Sequence, residues 1–334
     1  MLLTLVMWIS HRFSTFYMAC TIPQYRQVIS NQKTRFIVVP IIICGAVCGF
    51  FYAPQSIIRL SLTKRFILLA CLDFFLSLYH FAMQHYGMLA LYRARSNSQR
   101  LSQRDLRLER FACLFLGGLV TASIRVIYGE LNLFDHLYPD WLGRSLTSDA
   151  LMHFKLGLVV ASTALAALLL ARYGKGEHSV PKIMYLASLY VMSVVTMFIA
   201  PLCVFALHNI QHWLISLTLT SKMTYNSSQA AAPQGHWYGF WHKVHHNRIM
   251  SLGMLMLVCI AMLPVMEADA FILRQYNPDR LWFGDFLTRI MHTGWLHLFG
   301  AMAFCSAFLH YIYDRAIFRL SNKAIRKVSL PLLT

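Results

Sequence analysis

Charge is scarce in this 334-residue chain: 13% of its residues are Asp, Glu, Lys or Arg, and 57% are hydrophobic. A soluble domain is nearer about 45–50% apolar and a quarter charged, so lipid is the expected solvent. Disorder and collagen are excluded by the same figures. The eight cysteines contain no C-x2-C pair and lie mostly inside apolar runs, which argues against a disulfide scaffold and for buried thiols. No internal repeat and no low-complexity tract appears, and 226–235 reads as a short flexible linker. Residues 1–10 are apolar but have neither a basic leading segment nor an A-x-A-like cleavage site, so no removed signal peptide is expected. Acids are rarer than bases, 13 against 30, for a formal charge of +17. Most of the bases sit between apolar segments, where membrane topology places them, so no nucleic-acid partner is expected.

The apolar runs set the architecture. A crossing needs about 20 mostly apolar residues. Candidates are 36–53, 66–92, 111–128, 151–171, 249–267 and 290–313. The uncharged stretch 183–221 would be about 58 Å long as one helix, against a hydrocarbon core of about 30 Å. It is therefore two crossings or one bent helix, with Pro201 as the break. Charge favours two. With eight spans, the basic segments 1–35, 93–110, 172–182, 222–248 and 314–334 all face the cytoplasm, while 129–150, with Glu130, Asp135, Asp140 and Asp149, faces out. The prediction is an all-α polytopic membrane bundle of eight, or seven, transmembrane helices, forming a single membrane domain over 1–334. Both termini are cytoplasmic, with 222–248 a cytoplasmic loop and 315–334 a basic tail.

Fifteen histidines carry the chemical information. His80 and His85 form H-x4-H. His208 and His212 form H-x3-H, in the string HNIQH. His242, His245 and His246 form H-x2-H-H, in HKVHH. His292 and His297 form a second H-x4-H, and His310 precedes Asp314 by one turn. Positions i, i+3 and i+4 share a helix face, so His208 with His212 can reach one metal; i and i+5 lie about 140° apart. Most of these rings gather in the cytoplasmic half of the eight-span scheme, and ionisable groups inside a membrane default to a functional reading. The predicted ligands are His80, His85, His208, His212, His242, His245, His246, His297 and His310, with His292 a weaker candidate. Asp73, Gln84, Asn209, Gln211, Asn247 and Asp314 are the polar neighbours available to orient them; Asp314 equally fits an ion pair with Arg315 or Arg319. His11, His136, His153 and His178 read as interfacial residues. His236, beside WYGFW, fits an interfacial aromatic belt or a site.

The order HNIQH, 29 residues, HKVHH resembles the first two histidine boxes of the membrane fatty acid desaturase and hydroxylase superfamily, over about 40 residues. The resemblance implies a non-haem di-iron centre on the cytoplasmic side, activating O2 to desaturate or hydroxylate a lipid, with His208, His212, His242, His245 and His246 as ligands. No third H-x2-H-H follows; His292, His297 and His310 stand in its place. Bacterial carotene-cleaving membrane dioxygenases, with dispersed histidines and one iron, are a looser analogy. The expected function is thus a metal-dependent oxidoreductase acting with O2 on a hydrophobic substrate by desaturation, hydroxylation or oxidative cleavage. Iron, as two ions, is expected ahead of copper or zinc. An electron-donor protein could dock on the basic 93–110 segment. The rival readings are a haem-binding or metal-transport membrane protein, and a lipid-modifying transferase with a structural histidine network.

Overall fold

A computed structural model describes residues 2–95, 102–120, 148–173, 180–195, 201–229, 235–272, 281–291, 293–318 and 322–333. Every regular element among them is helical, as the composition predicts. Four helices are long and apolar enough to cross a membrane: Thr34–Tyr52, Leu62–Arg93, Met152–Arg172 and Gly294–Asp314. A fifth crossing arises if the pair His236–His245 and Arg248–Ala261, bent by 115°, counts as one span. Large apolar side chains on these helices stay outside, with Val160 68% and Ile41 65% exposed. Such surfaces are stable against acyl chains and not against water.

Contacts divide the chain into two compact units where one domain is expected: residues 1–73 with 210–334, and residues 74–209. The first unit opens with α1 (Leu2–Thr21) and α2 (Gln24–Asn31). A π-helical turn over Thr34–Val38 leads into α3 (Val39–Tyr52), and then comes the start of α4 (Leu62–Arg95). After α8 (Pro201–Ser228) follow α9 (His236–His245), α10 (Arg248–Ala261), α11 (Leu263–Ile272), α12 (Gly284–Ile290), α13 (Gly294–Ile317) and α14 (Lys323–Leu333). Helix α13 is the axis of this unit, with α1, α3 and α11 packed along it. One apolar cluster joins Ile9 and Tyr17 of α1 to Trp241, Val244, Leu255, Cys259 and Met266. A second joins Val47 and Phe51 of α3, Phe66 and Leu69 of α4, and Phe304, Cys305 and Phe308 of α13.

Several sequence expectations change shape here. Residues 1–35, expected as a cytoplasmic lead, contain α1, whose Ile9 and Met18 are fully buried. The expected loop 222–248 is helical over 222–228 and 236–245, because an apolar ridge of Trp241, Val244 and His245 finds a core to bury in. Gly235, at φ 101°, makes the left-handed entry to α9 that a side chain would strain. The candidate span 249–267 breaks at Met262 into α10 and α11. Pro201 stands at the first position of α8, where its missing N–H costs nothing. Helix α7 (Val180–Val195) precedes it and is 16 residues long, short of a full crossing. Residues 121–147, which hold most of the expected acidic loop, and 196–200 and 230–234 lie outside the described residues.

The corner between α3 and α4 is tied by a single cation. Arg65, 3% exposed, donates from Nη1 to the carbonyls of Phe50 (3.1 Å), Phe51 (3.2 Å) and Ala53, from Nη2 to Ile58 (2.8 Å) and from Nε to Leu60 (3.1 Å). The guanidinium fork thereby satisfies carbonyls that the end of α3 leaves open.

The second unit contains α4 from Phe74 onward, α5 (Gln103–Cys113) with its π-helical extension Leu114–Val120, α6 (Ser148–Tyr173) and α7. Glu109, fully buried, bridges Arg93 of α4 and Lys182 of α7. Burial, with the Arg93 charge as a lesser cause, pushes the Lys182 ammonium down to about 8. Gly117 lets this packing close: a Cβ there would stand 2.9 Å from Cδ2 of His85 and 3.2 Å from the Cα of Ala82. Gly117→Ala is therefore expected to lower the thermal unfolding midpoint, at a cost of about 1–3 kcal/mol. Gly118→Ala, whose Cβ would meet Ala82 at an ordinary 3.7 Å, is the tolerated control.

Candidate metal centre

Three imidazoles from three helices meet in the first unit. His11 of α1 lies edge-on to His212 of α8, with ring centroids 5.0 Å apart, and edge-on to His310 of α13, at 4.8 Å. All three are less than a tenth exposed. Coordinating nitrogens of His11 and His310 lie within 4.8 Å of one another. Two imidazoles on one metal, each about 2.0–2.1 Å from it, hold their nitrogens roughly 3–3.5 Å apart, so side-chain rotations alone would close the gap. Neutral imidazole is a ligand for iron, copper or zinc, and the site is closed to bulk water.

Polar groups surround the cluster. Asp314 is buried one turn beyond His310. Asp73 of α4 accepts from the Tyr311 hydroxyl at 2.9 Å, and the Tyr311 ring stands 5.7 Å from that of His310. Arg12, next to His11, places its guanidinium over Trp8 at 4.4 Å and donates to Ser306 Oγ at 3.3 Å.

His11 is the ligand candidate that the sequence reading set aside as interfacial. The missed signal was its position: it stands midway along a 20-residue helix, flanked by Trp8, Ile9, Phe13 and Phe16. It pairs with no other His at i+3 or i+4, so a search for spaced pairs passes over it.

His245 has a separate environment. Its ring is fully buried between Tyr17 (centroids 5.7 Å) and Trp241 (5.6 Å). Nδ1 lies 3.0 Å from Ser251 Oγ; Ser251 donates to Thr224 Oγ1 at 3.1 Å, and Thr224 donates to the Thr220 carbonyl at 2.9 Å. Each hydroxyl has one proton, and the carbonyl has none. The proton between ring and Ser251 must then sit on Nδ1, leaving a lone pair on the buried Nε2. That tautomer is the one a ligating or basic imidazole adopts. His11 and Tyr17 are six residues apart on α1, about 9 Å along its axis, so the His245 pocket is one level removed from the three-ring cluster.

The remaining predicted residues are dispersed. His246 is exposed, His242 half-buried, and their rings are 6.5 Å apart at the end of α9. Asn247, expected to orient a ligand, instead caps α10, accepting from Ile249 N (2.9 Å) and Met250 N (3.1 Å). His297 lies beside Tyr52, ring centroids 6.5 Å apart. It is thirteen residues before His310 on α13, about 20 Å along the helix, so these two do not meet. In the second unit, His85 is buried with Nδ1 2.6 Å from the Tyr185 hydroxyl and its ring against Phe81. His80 and Gln84 lie half-buried on the same helix, His80 two turns beyond Asp73. Helix α8 includes His208, Asn209 and Gln211, but their side chains lie outside the described residues, as do His136, His178 and His292. His153 and His236 are exposed. No protein-family model, curated protein or solved structure matches this chain.

Proposed function

We propose that the protein is a membrane-embedded, metal-dependent oxidoreductase that acts with O2 on a hydrophobic substrate and holds iron on His11, His212 and His310. The supporting observation is the convergence of these three buried rings from three separate helices. Isolated imidazoles are costly in an apolar core, and a shared cation offsets that cost. Of the two irons expected, this cluster accounts for one. Iron is preferred to copper or zinc because an apolar substrate and a water-poor site suit oxygen chemistry, which bound iron would supply. The chain's own residues would hold the rings, exclude water and set the charge nearby through Asp73 and Asp314. A lipid or other apolar substrate would enter laterally between helices, and an electron-donor protein would serve desaturation or hydroxylation. The exposed Lys323, Arg326 and Lys327 on α14 support a cytoplasmic C-terminus, with the N-terminus on the same side.

The test is metal analysis and an optical spectrum of detergent-purified protein, followed by mass spectrometry of lipid extracts from cells with and without the chain. The expected result is bound iron without an intense Soret band, and an extract containing a product that has gained oxygen or lost two hydrogens. A Soret band would assign haem, and metal-free protein with unchanged lipids would overturn the reading.

A further inference from the structure

Away from the histidines, α3 and α13 bring three cysteines together. Cys44 and Cys48 are four residues apart on α3 and so share one face. Both pack against the apolar cluster that contains Cys305 of α13. The Cys305 thiol stands within hydrogen-bonding reach of each of them. All three are free thiols, Cys305 buried and the other two half-buried. Cys305 is five residues before His310, about 140° around α13 and 7–8 Å along it, so this cluster is distinct from the imidazole one.

We propose that Cys44, Cys48 and Cys305 form a second, sulfur-only metal site that takes Cu(I). The walls are Val47, Phe51, Phe304 and Phe308, which offer no oxygen or nitrogen ligand to a hard cation. Thiolates select soft ions, and two or three sulfurs without a fourth ligand match Cu(I) better than tetrahedral zinc. Coordination by two of the thiols releases two protons and leaves a complex of charge minus one; a third thiolate makes it minus two. Copper stays Cu(I), so no oxidant or reductant is required. Arg65, held on the carbonyls of Phe50 and Phe51 just beyond Cys48, supplies compensating positive charge. The half-exposed Cys44 and Cys48 give the ion its way in from the side of α3.

The test titrates anaerobic, detergent-purified full-length protein with Cu(I) held as its bicinchoninate complex. The wild type is expected to withdraw copper from the chelator, and X-ray absorption is expected to show sulfur neighbours only. Cys305→Ser should abolish that sulfur-bound copper while bound iron stays at the wild-type level. The double change Cys44→Ser with Cys48→Ser should do the same from the other helix, which keeps the test valid if either protein folds poorly. Cys113→Ser is the control that leaves copper unchanged. Undiminished copper in both cysteine variants, nitrogen neighbours around the copper, or Cys305 found in a disulfide to Cys44 or Cys48 in anaerobic protein would each overturn the proposal.

Discussion

Alanine at His310 is expected to strip the protein of its iron, and alanine at His11 to do the same. Loss even of a group that only orients a ligand typically costs about 10–100-fold in metal affinity, so removal of a ligand should cost at least about 100-fold. Iron per chain, measured on protein that elutes at the wild-type volume, would then fall to background. His212→Ala belongs with this pair, whereas His297→Ala, about 20 Å away along α13, should leave the iron in place. The contrast separates a shared site from general damage to the bundle, because all four changes delete the same ring. Iron retained in His11→Ala and His310→Ala but lost in His245→Ala would move the centre to the HKVHH box.

The second large effect is expected at Arg65. Truncation to alanine removes the donors to five main-chain carbonyls and leaves several of them buried. An unsatisfied buried acceptor costs about 1–3 kcal/mol, and breaking a buried charged network typically costs about 3–5 kcal/mol. Arg65→Ala should therefore lower the unfolding midpoint in detergent far more than Gly117→Ala does, or abolish recovery of folded protein. Arg65→Lys keeps the charge but has no fork, so it should restore only part of the loss. A near-wild-type midpoint for Arg65→Ala would show that the α3–α4 corner is held by the Phe51–Phe66 packing instead.

The helical, lipid-adapted character of the chain was readable from composition alone, since long uncharged runs leave the backbone no other way to bond itself. Helix boundaries were less legible. Residues 1–35 looked like a basic lead because Arg26, Lys33 and Arg35 end the segment, yet the apolar side of α1 finds α10 and α13 to pack on. The same holds for HKVHH: three of its neighbours are aromatic, and burying Trp241 winds the segment into α9. For the candidate site, pairs at helical spacing located His212 but could not find His11 and His310. Each of these is a single residue on its helix, and only tertiary packing brings them together. Spacing also grouped His242, His245 and His246 over an arc of about 100°, but the end of α9 at His245 turns only the middle ring inward.

The hydroxyl row behind His245 ends on a main-chain oxygen, which has no hydrogen to give. Its direction is therefore fixed by the backbone and cannot be reversed by turning side chains. Whatever arrives at the far side of that ring meets an electron pair, so a cation or an O–H group is welcomed there and a carbonyl is refused.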